Sequence, residues 1–444
     1  MNGRDGSPSL ADFYRGDSDD LFDKCRRFSS VVSGAQLREI LRYQYRLILE
    51  GPLDHRVRVR DPMTGTVKDM LCFDSSSYFG LQLHPRVMSA VRQALDDVGC
   101  GTPSIQILGG TNRYLQELED TISAFHGREA ALIFSSGYAA NVGILTGLLR
   151  EDDFVARDRL SHASLQDGCR WSGARFGGSY ANRDMNDLER LFAEESEGAH
   201  GKLIASDGIF SLHGCVAPLP QLHAIAERHQ AYLMVDDAVG VGAIGATGGG
   251  IEEHFQMKGA VDILMGSFTK VSGCLGGYVC GSKDLITYLR FFARSSVFTA
   301  TLPAALCAGV TESFRVFQGA PEYRVRLWEN ARRLWKGLHE AGFVVPELES
   351  PILTVFMGTD RLLWAFNRQL FDAGLKCAIL SHPAVPKDES AIRFTVTSRH
   401  TSDDLDRAVE AMARTGKQFG ILHRSPEEIR SIGERLTFPS SGAI

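Results

Sequence analysis

The sequence predicts an α/β fold, with a mostly parallel central sheet in a large domain and a smaller α+β domain at the carboxyl end. Two apolar runs within residues 231–281 support this prediction, one ending at Asp236 and Asp237 and the other reaching Lys270. Apolar runs of this kind are typical of strands buried on both faces of a parallel sheet. A chain of 444 residues is long enough for one large domain and one smaller domain.

The elements follow from local patterns taken in order. The apolar residues Leu115, Leu118, Ile122 and Phe125 recur at helical spacing and form the core face of one helix. The other predicted helices, in chain order, cover about 19–28, 35–49, the part of 130–149 that follows a strand and a turn, 220–230 and 321–341. The other predicted strands begin near residue 70 and cover 153–157 and 393–396.

The ends of the two apolar runs carry an acid and an amine. In open α/β sheets, ligands bind at the carboxyl ends of the strands, so Asp236 and Lys270 are expected to face one crevice. This pair suits pyridoxal 5'-phosphate (PLP), which needs a lysine amine for attachment and a carboxylate that keeps its pyridine nitrogen protonated. A lone lysine after a strand is usually solvated, but the acid, the glycine-rich segment and the lysine together favour a cofactor site.

Composition argues against several other classes of protein. The net charge is −6 and no basic block stands out, which makes nucleic acid and anionic membranes poor candidates as partners. The nine cysteines include no CxxC pair, which favours the reducing cytoplasm and provides no metal-binding spacing. No apolar run reaches transmembrane length, and the polar start lacks the apolar core of a secretory signal.

The stretch from 231 to 281 resembles the α-oxoamine synthases, a family of fold-type-I PLP-dependent transferases. Their usual pattern is Asp-Asp/Glu-Ala-His-Gly, a glycine-rich crossing, Ser/Thr-x-x-Lys and Gly-Gly-Tyr. Here the corresponding segments are 236–240, 247–250, 267–270 and 276–278, and Val239 stands where the family has histidine. The resemblance extends over roughly residues 40 to 415.

The resemblance implies a set of cofactor contacts. The turn that begins a helix at Ser136 offers N–H groups to the phosphate, although a Ser–Gly turn alone is usually only a cap. His162 would stack on the ring and act in catalysis with Lys270 and Asp236, while Thr299, with Thr301 as second candidate, would reach the partner subunit's cofactor. The implied cofactor-binding residues are Ser136, Gly137, Tyr138, His162, Ser211, Asp236, Ser267, Thr269, Lys270 and Thr299.

The resemblance also implies a substrate side. Arg393 matches the arginine that grips the substrate carboxylate, a task that suits its planar fork, although an arginine on a strand is more often a surface charge. Ser76 and Tyr78 match an element near the substrate amino acid. The chain departs from the family at Val239, Ser76, Gln106, Leu115 and Asp207. Because the cofactor set is kept and the substrate set is altered, a divergent member with an unusual substrate is expected.

The implied reaction is a decarboxylative condensation of an amino acid with an acyl thioester to give an α-amino ketone. The acyl group would be carried by coenzyme A or by an acyl carrier protein. The alternatives are an aminotransferase or a carbon–carbon lyase on the same fold, and a protein that binds PLP for regulation. The resemblance further implies a homodimer with a shared active site. The predicted division is an amino-terminal arm and helix (1–65), a large PLP-binding domain (66–310) and a small carboxyl-terminal domain (311–444).

Overall fold

The computed structural model describes residues 13–14, 18–33, 43, 46–62 and 64–436. Its strands are β1 (Ile48–Leu49), β2 (Arg56–Arg60), β3 (Val67–Cys72), β4 (Ala130–Phe134), β5 (Phe154–Asp158), β6 (Arg175–Tyr180), β7 (Lys202–Asp207), β8 (Tyr232–Asp236), β9 (Ile263–Ser267), β10 (Gly277–Gly281), β11 (Ile352–Gly358), β12 (Leu375–Lys376), β13 (Ala378–Leu380) and β14 (Ser390–Thr395). Its α-helices are Asp23–Ser33, Pro85–Val98, Arg113–His126, Gly137–Leu148, Ala163–Ser172, Met185–Glu195, Leu219–His229, Ile251–His254, Phe268–Val271, Lys283–Phe292, Arg294–Val297, Ala304–Gln318, Glu322–Glu340, Asp360–Asp372, Ser402–Phe419 and Pro426–Arg435. Within these described ranges, no helix is long and apolar enough to cross a lipid bilayer.

The described residues form two compact units. The sheet unit holds residues 76–329 and 349–351. The terminal unit holds the described residues of 1–75, 330–348 and 352–444. The domain limits expected at residues 65 and 310 stay a prediction.

The sheet unit is built on a seven-stranded sheet in the order β4-β10-β9-β8-β7-β5-β6. The strands from β9 to β6 pair in parallel, and β10 runs antiparallel to both β9 and β4. The strands β7, β8 and β9 are buried along most of their length, as expected of apolar strands in a parallel sheet. The predicted mostly parallel sheet is therefore confirmed.

The register of this sheet aligns the ends of its strands. Asp207 at the end of β7 lies opposite Asp236 at the end of β8, and Ser267 at the end of β9 lies opposite Gly277 at the start of β10. Gly277 in turn lies opposite Phe134, the last residue of β4. We call this row of strand ends the carboxyl edge, because every parallel strand delivers its last residue there.

Several predicted elements of the sheet unit are confirmed within one or two residues. The segment 130–149 forms β4, a turn and the helix Gly137–Leu148, and the segment 153–157 forms β5. In the helix Arg113–His126 the predicted core face is buried at Leu115, Leu118 and Ile122.

The terminal unit contains two small sheets, β1-β2-β3-β12 and β11-β14-β13. Its main core joins apolar side chains such as Phe73, Leu334, Phe366 and Phe394. In β2 the valines are buried and the arginines exposed, which is the alternation of a strand with one solvated face. The mixture of helices and mainly antiparallel strands agrees with the predicted smaller α+β part.

The amino-terminal predictions are only partly supported. A helix predicted near residues 19–28 is present at Asp23–Ser33. Of the helix predicted over 35–49, residues 35–42 and 44–45 lie outside the described residues. The prediction is wrong at its end, because Ile48–Leu49 form β1 and pair with Val59 and Arg60 of β2. Apolar side chains at helical spacing did not reveal this pairing with a strand further along the chain.

Candidate active site

Asp236 ends β8 at the carboxyl edge, and its carboxylate is held by two donors. The side-chain amide of Asn141 donates to Oδ2 at 2.7 Å, and the backbone N–H of Ala238 donates to Oδ1 at 3.0 Å. Only 7% of the residue is exposed. The carboxylate is therefore fixed in orientation at the edge where a ligand of this fold is expected.

A second acid, Asp207, lies beside Asp236 across the β7–β8 pairing. Both of its carboxylate oxygens accept from the backbone N–H of His162, at 3.2 and 3.1 Å. Burial, and then the negative charge of Asp236, raise the pKa of Asp207 well above its usual range. The buried Asp207 therefore keeps its proton to a higher pH than an exposed aspartate does.

Asp237 follows Asp236 but has a different environment. It is fully buried, and its Oδ2 accepts from the backbone N–H of Ile251 at 2.7 Å. A Cβ added at Gly240 or Gly250 would stand 1.9 Å from one of its carboxylate oxygens. Burial raises the pKa of Asp237 well above its usual range. Asp237 thus braces the glycine-rich segment from inside, and Asp236 is the acid available to a ligand.

The helix Gly137–Leu148 begins at the carboxyl edge with a compact turn. Ser136 caps this helix by accepting the backbone N–H of Ala139 at 3.0 Å. A Cβ added at Gly277 would stand 2.7 Å from the backbone N and Cα of Gly137, and one added at Gly137 would stand 3.2 Å from Cβ of Ser267. The glycines therefore allow backbone to approach backbone at a helix N-terminus, the arrangement that binds phosphate groups.

Tyr138 follows this turn and is 41% exposed. Its hydroxyl donates to Oδ2 of Asp167 at 2.5 Å, and this hydrogen bond raises the pKa of the tyrosine. The ring is therefore held in one orientation at the start of the helix, consistent with the predicted position beside a cofactor.

Lys270 does not lie on the strand itself. β9 ends at Ser267, which caps the one-turn helix Phe268–Val271 through a contact with the backbone N–H of Thr269. Lys270 is half-buried in this turn, and its carbonyl accepts from the backbone N–H of Tyr78 at 2.9 Å. Ser267, Thr269 and Lys270 are thus gathered at the end of β9, next to the turn at Gly137.

Tyr78 supports this region from within the protein. It is fully buried, and its hydroxyl donates to the backbone carbonyl of Val239 at 3.0 Å. With its backbone N–H bound to Lys270, Tyr78 joins the segments that follow β8 and β9. Ser76, two residues earlier, is half-buried. The predicted contact of Tyr78 with a substrate stays a prediction, because its ring is enclosed in this structure.

His162 comes from the segment after β5 and caps the helix Ala163–Ser172. The residue is exposed, while its Nδ1 lies 2.7 Å from Oγ of Ser164. The Ser164 hydroxyl also accepts from Asn141 at 2.8 Å, and Asn141 binds Asp236. The structure thus joins His162 and Asp236, two of the predicted catalytic residues, through two side chains that sequence reasoning missed.

The sequence signal that could have identified Asn141 is its spacing from Gly137. Asn141 lies four residues after Gly137, so it faces the same side of the helix as the turn that begins at Ser136. A buried asparagine in an otherwise apolar helix needs a hydrogen-bond partner, and the sequence alone did not identify one.

The remaining predicted residues are less closely tied to the edge. Ser211 is half-buried in the turn after β7, whose Gly208 donates its N–H to the carbonyl of Asp236 at 2.8 Å. Thr299 is half-buried beside Phe298, which is 71% exposed. Arg393 belongs to the terminal unit, half-buried on β14, so its contact with a substrate stays a prediction.

Two departures from the family pattern are part of the packed interior. Leu115 is fully buried in its helix, and Gln106 is buried with its amide donating to the carbonyl of Ile133 at 2.8 Å. The predicted core position of Leu115 agrees with its burial.

Comparison with known proteins identifies the family. The class I and II aminotransferase family matches residues 68–412. 4-Hydroxy-2,2'-bipyrrole-5-methanol synthase PigH of Serratia sp. (strain ATCC 39006) is 36% identical over 422 residues, which are 95% of this chain and 64% of that protein. This chain therefore spans less than two thirds of the length of PigH. 8-Amino-7-oxononanoate synthase 1 of Bacillus subtilis (strain 168) is 38% identical over 348 residues, 78% of this chain and 88% of that protein.

Solved structures agree. Serine palmitoyltransferase from S. paucimobilis, with PLP and myriocin bound, matches with a TM-score of 0.84 and 28% identity, covering 91% of this chain and 100% of that chain. The residues at the carboxyl edge fit PLP, since they offer a carboxylate at Asp236, an amine at Lys270 and a helix N-terminus where a Cβ at Gly277 would fill the turn. The names of these relatives are those of synthases and of a palmitoyltransferase, which supports the predicted condensation and not the aminotransferase or lyase alternative. The chain belongs to the class I and II aminotransferase family and, within it, to the PLP-dependent α-oxoamine synthases of fold type I.

Proposed function

We propose that the carboxyl edge of the sheet unit is the active site of this synthase. Asp236 binds the pyridine nitrogen of PLP, Lys270 attaches the cofactor, and His162 packs over its ring. The cap and glycine of residues 136–137 hold the phosphate together with Ser267 and Thr269, while Ser211 binds the phenolic oxygen. The observation that carries the proposal is that the neighbouring strands β8 and β9 end at Asp236 and Ser267, with Asp236 opposite Met265 and the lysine in the turn that follows Ser267.

The bound cofactor supplies an electron sink for the pair of electrons left when the α-carbon of the amino acid loses a proton. Lys270 is the base that takes this proton once the substrate amine has replaced its own, and the hydrogen bond from Tyr78 to its carbonyl fixes its backbone at the site. The carboxylate of Asp236 is held in place by the side-chain amide of Asn141 and the backbone N–H of Ala238.

The condensation then joins the α-carbon to the carbonyl carbon of the acyl group. The carbon–sulfur bond breaks, and the thiol carries away the electron pair. Carbon dioxide then leaves from the amino acid, and the electron pair of the broken carbon–carbon bond stays with the α-carbon. The proton held by Lys270 returns to that carbon, and the product is an α-amino ketone. In this proposal Arg393 holds the substrate carboxylate through its planar guanidinium before carbon dioxide is released.

The acyl side of the site is where we place the divergence of this chain. Val239 is 7% exposed and has no side-chain donor, whereas the family pattern has histidine there. Ser76 and Asp207 are also shorter than the family residues at their positions. We propose an acyl donor on coenzyme A or on a carrier protein, with a chain that packs against valine and needs no hydrogen bond from it.

We also propose that the enzyme works as a cytoplasmic homodimer. Large apolar side chains are exposed near the site, with Leu108 77%, Leu275 56% and Phe298 71% accessible. Thr301, close to Phe298, binds the carbonyl of Ser104 at 3.0 Å, which links the 298–301 segment to the loop that carries Leu108. A second subunit would cover these side chains and receive Thr299 at its cofactor phosphate. All nine cysteines are free thiols, as expected in a reducing compartment.

The reaction is tested by titrating the PLP-loaded enzyme with a panel of amino acids and following its visible absorbance, then adding acyl thioesters. The proposal predicts that one amino acid perturbs the absorbance and that thioester addition then releases free thiol and carbon dioxide in equal amounts. Conversion of the cofactor to its amine form without thioester would contradict it and favour amino transfer. Lys270→Ala is expected to lose both the absorbance change and turnover, and Lys283→Ala, a lysine at the opposite edge of the sheet, serves as the control.

A further inference from the structure

Four polar groups from three segments form one continuous chain at the carboxyl edge. Asp236 Oδ2 lies 2.7 Å from Nδ2 of Asn141, which lies 2.8 Å from Oγ of Ser164. The Ser164 hydroxyl lies 2.7 Å from Nδ1 of His162. This chain, which we call the relay, runs from the end of β8 through the helix Gly137–Leu148 to the cap of the next helix.

Chemistry determines the direction of each hydrogen bond in the relay. An amide nitrogen can only donate, so Asn141 donates to both Asp236 and Ser164. The Ser164 oxygen already accepts from Asn141, and its own hydrogen is directed to the nearest acceptor, Nδ1 of His162. The backbone N–H of Ser164 also donates to this Nδ1 at 3.3 Å. A nitrogen that faces two donors carries no hydrogen, so the proton of the neutral ring is on Nε2.

The opposite orientation of the Asn141 amide is excluded by the same reasoning. It would bring Oδ1 to 2.7 Å from the Asp236 carboxylate, and two acceptors would then face each other. In the observed orientation Oδ1 of Asn141, a fully buried residue, has no hydrogen-bond partner among the residues that the structure describes. A buried unsatisfied oxygen is unfavourable, so the need to donate twice outweighs it.

His162 is held from a second direction as well. Its backbone N–H binds Asp207, while its ring binds Ser164. Ser164 and Asn141 are both fully buried, which keeps water from competing for their hydrogen bonds. The exposed imidazole is thus fixed at its backbone and at Nδ1, and Nε2 is left as its outward group.

We propose that Asn141 and Ser164 are positioning residues that fix the ring of His162 as the Nε2–H tautomer and orient the Asp236 carboxylate at the same time. The inference rests on the proposed function in assigning His162 and Asp236 to the cofactor. It means that His162 presents a hydrogen-bond donor to whatever lies over the site and does not act as the base. The orientations of the acid below the cofactor and of the ring above it are therefore coupled through one buried amide.

The test is the tautomer of His162 in the PLP-loaded enzyme, measured by two-bond ¹H–¹⁵N NMR with ¹⁵N-histidine labelling. His162→Gln assigns the signal among the 13 histidines. The unchanged enzyme is expected to show a protonated Nε2 and an unprotonated Nδ1. Asn141→Leu removes the amide that occupies the Ser164 oxygen, and Ser164→Ala removes the nearer of the two donors to Nδ1 and leaves only the backbone N–H at 3.3 Å. Both variants are expected to show a larger share of the Nδ1–H tautomer than the unchanged enzyme.

Matched controls come from the same two helices. Thr146→Ala and Ser172→Ala remove hydroxyls that bind only nearby backbone groups, and they are expected to leave the tautomer unchanged. The Thr146 hydroxyl binds the carbonyl of Val142, and the Ser172 hydroxyl binds the carbonyl of Cys169 and the N–H of Ala174. Ser164→Thr retains the hydroxyl and is expected to restore the Nε2–H form. The relay variants are also expected to lose about 10- to 100-fold in kcat/KM, the usual effect of a small misplacement at an active site.

Three outcomes separate the possibilities. A ring with its proton on Nδ1 in the unchanged enzyme overturns the relay, and this measurement needs no variant to fold. An unchanged share of the Nε2–H form in both Asn141→Leu and Ser164→Ala also overturns it, since the residues would then serve packing alone. If the tautomer behaves as expected while no amino acid and thioester react, the relay stands and the proposed reaction fails.

Discussion

Two regions at the carboxyl edge hold their groups by different means. Around Asp236 the contacts join side chain to side chain, through Asn141 and Ser164 to His162. Around Val239 the contacts run through the backbone, since the Tyr78 hydroxyl binds the Val239 carbonyl and the Tyr78 N–H binds the carbonyl of the lysine turn.

The difference explains which residues are free to vary. A residue whose side chain is bound by another side chain cannot change without leaving a buried group unsatisfied. A residue whose backbone carries the contact can change its side chain while the support is kept. Val239 can therefore replace a histidine without loosening the segment that carries Lys270, which is consistent with a retained cofactor site and an altered substrate side.

The largest expected effect comes from removing the carboxylate of Asp236, which belongs to the side-chain contacts. Asp236→Asn keeps the shape of the side chain but removes its charge, and kcat/KM is expected to fall about 10²- to 10³-fold, as when an electrostatic contact to the reacting system is lost. Asp207→Asn is the matched control, because it changes the neighbouring buried acid, whose pKa burial raises, and leaves Asp236 intact. It is expected to cost about tenfold or less. Equal losses in the two variants would show that Asp236 has no role beyond that of its neighbour.

The next effect concerns the substrate carboxylate. Arg393→Ala is expected to raise the KM for the amino acid about 10- to 100-fold, since a charge-assisted hydrogen bond contributes about 1.5–3 kcal/mol. Arg393→Lys keeps the charge without the planar fork, so its KM for the amino acid is expected to lie between those of the unchanged enzyme and of Arg393→Ala. Steady-state kinetics with the amino acid varied decides this, and an unchanged KM would remove Arg393 from the site.

A smaller effect is expected from removing the hydrogen bond between the Tyr78 hydroxyl and the Val239 carbonyl. Tyr78→Phe leaves the Val239 carbonyl without its donor, so the free energy of unfolding is expected to fall by about 1–2 kcal/mol. Val239→His keeps the hydrogen bond to its carbonyl and is expected to change the order of preference among acyl thioesters, while the larger side chain has to fit at a position that is only 7% exposed. Denaturant unfolding and competition between thioesters measure the two quantities. An unchanged free energy of unfolding in Tyr78→Phe would contradict the backbone role.

The smallest effect is a pH dependence. The pKa of Asp207 is raised in the folded protein. Above the unfolded-state pKa of about 4, the unfolded chain therefore releases a proton that the folded chain keeps. Stability contributed by this group therefore falls as pH rises towards the folded pKa. Asp207→Asn removes the titration, and its Tm relative to the unchanged enzyme should increase from about pH 4 upward. A constant difference across this range would show that Asp207 is ionised when folded.

Much of the fold could be predicted because its signals are local. The apolar runs of β8 and β9 and the cap at Ser136 are visible in the sequence, and together they indicated the carboxyl edge. Other features depend on contacts between distant segments. The pairing of Ile48–Leu49 with β2, and the burial of Tyr78 beneath Val239, required the folded chain.

The same limit applied to the site. Asp236 and Lys270 were predictable because each follows a strong strand signal, and the motif spacing connected them. Asn141 was missed because its two partners lie 23 and 95 residues away. The exchange of a family histidine for Val239 was visible in the sequence, but only the structure shows that the contact there passes through the carbonyl.

The central claim is that Lys270 attaches the cofactor at the carboxyl edge. It is tested by borohydride reduction of the PLP-loaded enzyme, which makes the carbon–nitrogen bond permanent, followed by peptide mass spectrometry. The account predicts that the peptide containing Lys270 carries the cofactor mass. The corresponding peptide of Lys270→Ala is expected to carry none. The claim would be contradicted if the cofactor were found on another lysine, or if borohydride fixed it to no lysine at all.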